Sequence, residues 1–155
     1  MAVTVKTALV SGPFNWTTEK DGSHVLQSEG ELYVLLQHKK NMLTYKFSFK
    51  KGFRCDGLSV PGPFRWFLKD WDEENRLYNL AGALHDWLYA TEGDDRTFTR
   101  SECDDIFRGV LRESGVGRFK AGAADLAIGI FAGNRRHWGS DSYKVGELVH
   151  LSVFV

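Results

Sequence analysis

The sequence predicts an α+β protein: antiparallel strands on the N-terminal side, a three-helix core containing a histidine–aspartate helix pair, and a short C-terminal strand. Three observations carry this reading. Leu43, Tyr45, Phe47 and Phe49 alternate with Thr44, Lys46, Ser48 and Lys50, the period of two expected of a strand in a sheet with one wet face. Leucines at 77, 80, 84 and 88 keep the three-and-four spacing of one apolar helical stripe. Thr99-Arg100-Ser101-Glu102 has the form of a capping box, which announces a helix start. At 155 residues the chain is expected to fold as a single domain, 1–155, burying about 70% of its unfolded surface.

Taken in order, Val3 to Val10 alternates weakly and reads as a strand closed by the turn at Ser11-Gly12-Pro13. Phe14 to Trp16 adds a short extended piece. Asp21-Gly22 is a hairpin-type turn before His24 to Gln27, and Glu29-Gly30 reads as another turn. Leu32 to Leu36 is nearly all apolar, which predicts a strand buried on both faces, and Lys39-Lys40-Asn41 turns into the alternating strand at 43–50. From Pro61 the pattern changes. Residues 63–69 begin a short helix or aromatic turn, and 70–74 are a charged loop. The first long helix covers 75–91. The second starts at the capping box, buries Cys103, Ile106, Phe107, Val110 and Leu111, and ends at Gly115 to Gly117. A third is predicted from about 118 to 133, with Leu126, Ile130 and Phe131 at helical spacing, and Leu148 to Phe154 is a final strand.

Composition narrows the function. Apolar residues make up 43%, and no run approaches the 18 or more apolar residues of a membrane span, so no transmembrane segment is expected. The first residues lack the features of a signal peptide, which points to synthesis for the cytoplasm. Twenty basic side chains balance twenty acidic ones, leaving no global field to attract nucleic acid. Locally the balance breaks: residues 1–55 carry +4, residues 56–113 carry −6 and the remainder +2. The acidic excess surrounds His85 and suits a cation better than a phosphate backbone, although solvated surface charge produces the same count. Two cysteines, Cys55 and Cys103, make no disulfide framework and no thiolate zinc site; whether they pair stays open.

Chemistry concentrates at His85-Asp86-Trp87-Leu88-Tyr89. At about 100° per residue His85 lies at the margin of the leucine stripe, while Asp86 faces away from it. On the second helix Asp104 holds the equivalent margin beside Cys103. Antiparallel packing would bring its carboxylate to one ring nitrogen of His85, fixing the tautomer and raising the basicity of the other nitrogen. Asp86 and Asp56, the latter on a glycine loop, would then remain for a hard cation such as calcium, which prefers oxygen ligands. The alternative is structural: a hydrogen-bonded histidine at a helix edge, an Asp-Gly turn, and an aspartate favoured near a helix N-terminus.

The order Cys55-Asp56-Gly57-Leu58-Ser59-Val60-Pro61, His85-Asp86-Trp87-Leu88-Tyr89, then Asp104-Asp105-Ile106-Phe107 resembles a family of phage and prophage proteins known as domain of unknown function 1353. That family has T-D-G-x-S-x-P, H-D-x-L-Y and A-D-x-x-F motifs, and the resemblance spans about 43–139. Cys55 stands for the usual threonine and Cys103 for the usual alanine. The resemblance implies a bacteriophage origin and says nothing of an activity. More distantly, the motif order is similar to that of small bacterial and fungal phospholipases A2. That similarity implies His85 as the base on water and Asp104 as its partner. It also implies Asp56, Asp86 and the Gly57-Leu58 backbone around calcium, and Tyr89 as hydrogen-bond donor to Asp104. The phospholipase cysteines beside the histidine helix are missing. Two functions follow as expectations. The first is a calcium-dependent ester or lipid hydrolase made in the host cytoplasm. The second is a non-enzymatic tail or baseplate component of the virion, with strands that pair with other phage structural proteins.

Overall fold

The computed structural model describes residues 3–55, 71–95, 98–117 and 148–154, with backbone alone for Asp86, 89–95 and 148–154. Among these residues there are seven strands and two helices: β1 Val3–Ser11, β2 Asn15–Thr18, β3 His24–Ser28, β4 Gly30–His38, β5 Asn41–Phe49, β6 Arg54–Cys55, α1 Arg76–Asp95, α2 Arg100–Glu113 and β7 Leu148–Phe154. The strands form two antiparallel sheets, one ordered β1-β4-β5-β7 and the other β2-β3-β6.

The predicted three-helix core is therefore replaced by a mostly β architecture. Among the described residues its apolar wall is a sheet: Val3, Leu32, Val34, Leu36, Phe47 and Phe49 are all fully buried, and α2 lies along β1. The helix predicted at 118–133 and the aromatic segment at 63–69 lie outside the described residues.

The strand predicted by strict alternation, β5, is found with its partner β4. The β4–β5 ladder runs from Gly30 opposite Phe49 to His38 opposite Asn41, turning at Lys39-Lys40. β5 buries Tyr45, Phe47 and Phe49 and leaves the residues between them half-buried. β4 also alternates, burying Leu32, Val34 and Leu36 while Tyr33 is exposed. The expectation that 32–36 is buried on both faces is thus corrected; an apolar run need not be a doubly covered strand when its outer face holds a tyrosine. Among the described strands β1 lies at the edge of its sheet. Its register slips between Val5 and Thr7, placing the exposed Lys6 at a bulge, a combination that discourages edge-to-edge pairing.

The Glu29-Gly30 turn of the sequence reading is a passage between sheets, since β3 belongs to one and β4 to the other. Gly30 makes that corner possible. A Cβ there would press into the Phe14 ring, 2.6 Å from Cδ2, and lie 2.7 Å from the Ser11 carbonyl. Phe14 itself sits at φ 48°, a conformation disfavoured for a bulky side chain. Its buried ring, edge-on to Phe49 with centroids 5.7 Å apart, holds it there.

The helices are fastened to this frame by aromatic contacts. Phe98, just before α2, meets Tyr45 edge-on at 5.2 Å, and Trp87 of α1 lies 5.9 Å from Phe53. Gly109 allows α2 to settle on β1, because a Cβ there would collide with Val5, lying 2.5 Å from its Cβ.

Candidate functional site

α1 starts where Asn75 supplies its side-chain oxygen to the Tyr78 N–H at 3.0 Å, the N-cap bond that satisfies an orphan donor. The same side chain donates from Nδ2 to the Ser114 carbonyl at the end of α2, 2.9 Å away. The helix starts one residue later than the predicted 75–91 and ends four residues further on, at Asp95. Its stripe is as expected: Leu80, Leu84 and Leu88 are buried and Leu77 packs at the edge. Ala81, Ala83 and Tyr78 are buried as well, so the covered face is wider than the leucines alone define.

α2 has the predicted capping box. Thr99 Oγ1 accepts from the Glu102 N–H, and Glu102 Oε1 accepts from the Thr99 N–H at 2.8 Å. Cys103, Ile106, Phe107, Val110 and Leu111 are buried as the spacing requires. Cys55 and Cys103 are both buried.

Between the two helices His85 meets Asp104. Nε2 of the imidazole lies 2.8 Å from Oδ1 of the carboxylate. The histidine side chain is 9% exposed and that of the aspartate 25%, and the Phe107 ring lies 5.0 Å from the imidazole. An ionised carboxylate can only accept, so Nε2 is the donor in this contact. The Asn75–Ser114 and His85–Asp104 contacts are each separated by ten residues along either helix, about 15 Å of helical rise. The pair is therefore antiparallel and in register, the packing the sequence requires for this contact.

The remaining predicted site residues are not brought to the pair by any described atom. Asp56, Gly57 and Leu58 lie outside the described residues. Asp86 and Tyr89 belong to α1 by backbone, and their side chains lie outside the description too. Among the described residues no group of three or more histidine, cysteine, aspartate or glutamate side chains is gathered for a metal.

A second, partly buried histidine–carboxylate contact has no counterpart among the sequence expectations. Nε2 of His38, at the end of β4, lies 2.5 Å from Oε2 of Glu102, so one carboxylate both caps α2 and ties it to the sheet. Burial pushes the Glu102 carboxyl up, but the Thr99 N–H and the neighbouring His38 imidazole together outweigh it and hold the pKa below its ordinary value. Glu102 was legible as a cap; its strand partner, far away in sequence, had no local signal.

What the fold and this site define is a strand-rich chain that uses two antiparallel helices to hold a mostly buried histidine on a carboxylate. Residues 33–128 match the family model described as a protein of unknown function, DUF1353, and since this is more than half of the chain, the protein belongs to that family. The matched region contains both His85 and Asp104. No curated protein and no solved structure matches the chain, so the similarity to phospholipases has no match behind it. No helix among the described residues is long and apolar enough to cross a membrane.

Proposed function

We propose that this chain is a bacteriophage protein with a phospholipase-like hydrolytic site. In this reading Nδ1 of His85 takes a proton from water as that water attacks an ester, and Asp104 holds the imidazole in the required tautomer and steadies the imidazolium. One observation carries the reading: the 2.8 Å His85–Asp104 contact, formed between two helices and largely withdrawn from solvent. In such a pair the carboxylate fixes the tautomer and orientation of the ring. Calcium on Asp56 and Asp86, with the Gly57-Leu58 backbone, would polarise the ester carbonyl, and Tyr89 would donate to Asp104. These assignments rest on the sequence resemblance.

The test is hydrolysis of phosphatidylglycerol vesicles and of a soluble nitrophenyl ester by the purified chain, with calcium or with chelator. The expected result is calcium-dependent turnover that falls by about 10²–10⁴ in His85→Asn, with an upward thermal shift on calcium binding that Asp86→Asn abolishes. No turnover of either ester at millimolar calcium, with no thermal shift, would remove the hydrolase reading. A second reading, a non-enzymatic tail or baseplate component, is favoured by one feature. On the edge strand β1, Leu9 is 64% exposed opposite the exposed Tyr33, an apolar pair suited to a neighbouring subunit. Stoichiometric presence in purified particles together with catalytic inertness would support it.

A further inference from the structure

A cleft lies away from the dyad, between β2 and the start of α1. It encloses about 260 Å³ and neither His85 nor Asp104 lines it. Its wall is made of two half-buried indoles, Trp16 and Trp71. They meet edge to face, with ring centroids 5.3 Å apart and planes at 86°. Neither ring is left to swing. His24 stacks on Trp71 with centroids 3.7 Å apart and planes at 14°, and Trp16 is braced against Phe53 at 6.4 Å. Asn79 clamps the segment after Trp71 to α1, its Oδ1 accepting from the Asp72 N–H and its Nδ2 donating to the Asp72 carbonyl. The aromatic wall is thus fixed before any ligand arrives, which lowers the entropy lost on binding.

Around the indoles the cleft offers Asn15, Thr18, Glu73 and Arg76. One nitrogen of Arg76 donates to the Gly12 carbonyl at 2.6 Å, which anchors the guanidinium and leaves further N–H donors on its fork. Glu73 and Asn15 are exposed. The lining therefore combines an apolar π surface, one cation, one anion and neutral amide and hydroxyl groups. An anionic ligand would face Glu73 and a cationic one would face Arg76. A neutral ligand that both donates and accepts along its rim, and has an apolar face, satisfies all of them.

We propose that this cleft binds a neutral saccharide. A pyranose has that composition: polarised C–H groups on one face, which the negative face of an aromatic ring attracts, and hydroxyls around the edge for Asn15, Glu73 and Arg76. The volume is slightly below the roughly 300 Å³ at which pockets for drug-sized ligands begin, so one ring enters and any others extend into solvent. The site stands whether or not the dyad is hydrolytic.

The experiment is a glycan array of neutral mono- to tetrasaccharides probed with the full-length chain. The indole N–H resonances are then followed as glucose, galactose, N-acetylglucosamine or AMP is titrated. The expected result is saturable retention of a neutral glycan and movement of the Trp16 and Trp71 signals. Asn15→Ala and Glu73→Ala, both at exposed positions, should weaken binding by about tenfold or more without changing Tm, and Trp16→Phe should weaken it while keeping the aromatic packing. The proposal is overturned if no neutral glycan is retained and no sugar moves the indoles. It is equally overturned if AMP binds in place of sugars, or if glycan binding is indifferent to both Asn15→Ala and Glu73→Ala.

Discussion

Gly109→Ala tests how α2 is seated, and two opposing contributions decide its sign. In an isolated helix the change stabilises by about 1 kcal/mol, because alanine has less backbone freedom to lose. Here the new methyl would stand 2.5 Å from the Cβ of Val5 and closer still to one of its methyl groups. A Val5 rotamer change can move the methyls but not the Cβ, so β1 and α2 must part by a few tenths of an ångström. Overpacking of this kind costs about 1–3 kcal/mol, which leaves a net destabilisation of about 0–2 kcal/mol and, in a chain of this length, a Tm lower by a few degrees. Chemical denaturation of the wild type, Gly109→Ala, Val5→Ala and the double variant closes a mutant cycle. Val5→Ala retains the Cβ but removes both methyls, so it should relieve part of the clash and give a coupling of about 0.5 kcal/mol or more. A Gly109→Ala variant more stable than wild type, or a coupling of zero, would refute the close helix–sheet contact. Asp104 lies five residues before Gly109 on the same helix, so a lifted α2 should also loosen the His85–Asp104 bond.

Other outcomes follow from the described contacts. Because the Glu102 carboxyl is held below its ordinary value, its contribution to stability is present above the unfolded-state pKa and is lost as pH falls through the lower folded-state value; Glu102→Gln should flatten that acid limb in pH-dependent denaturation. Thr99→Ala removes the cap on the Glu102 N–H and should destabilise the protein by about 0.5–2 kcal/mol in the same assay. In ¹⁵N NMR, His85 should show a protonated Nε2 in the neutral ring, and Asp104→Asn should disturb that tautomer while changing far-UV circular dichroism little. A neutral ring protonated on Nδ1 would contradict the assigned direction of the His85–Asp104 bond.

Local signals were legible in the sequence, and distant partners were not. The capping box at Thr99, the leucine stripe of α1 and the alternation of β5 each depend on residues within a few positions of one another, and each lies close to where it was expected. The His85–Asp104 contact was readable for a related reason: both residues sit at the margin of a buried stripe, so packing the stripes brings the margins together. Nothing equally local marked the association of β1, β4, β5 and β7 in one sheet, and three helical patterns in a row suggested a helical core. Leu32 to Leu36 misled because its apolar residues include Tyr33, which the fold leaves exposed. His38 was unreadable as the partner of Glu102 because only the packing of α2 on the sheet brings them together.

The ladder between β5 and β7 has a kinetic consequence. β4 and β5 are joined by a tight turn, whereas Leu43 pairs with Phe154, closing more than a hundred residues of chain. The length-dependent entropy of that closure is about 4 kcal/mol, and it must be met before the first hydrogen bond of the seam is made. The hairpin can nucleate within microseconds, so β7 should dock last during refolding and detach first under mild denaturant. In pulsed hydrogen exchange, amides of the β4–β5 ladder should be protected before those through which β7 is held.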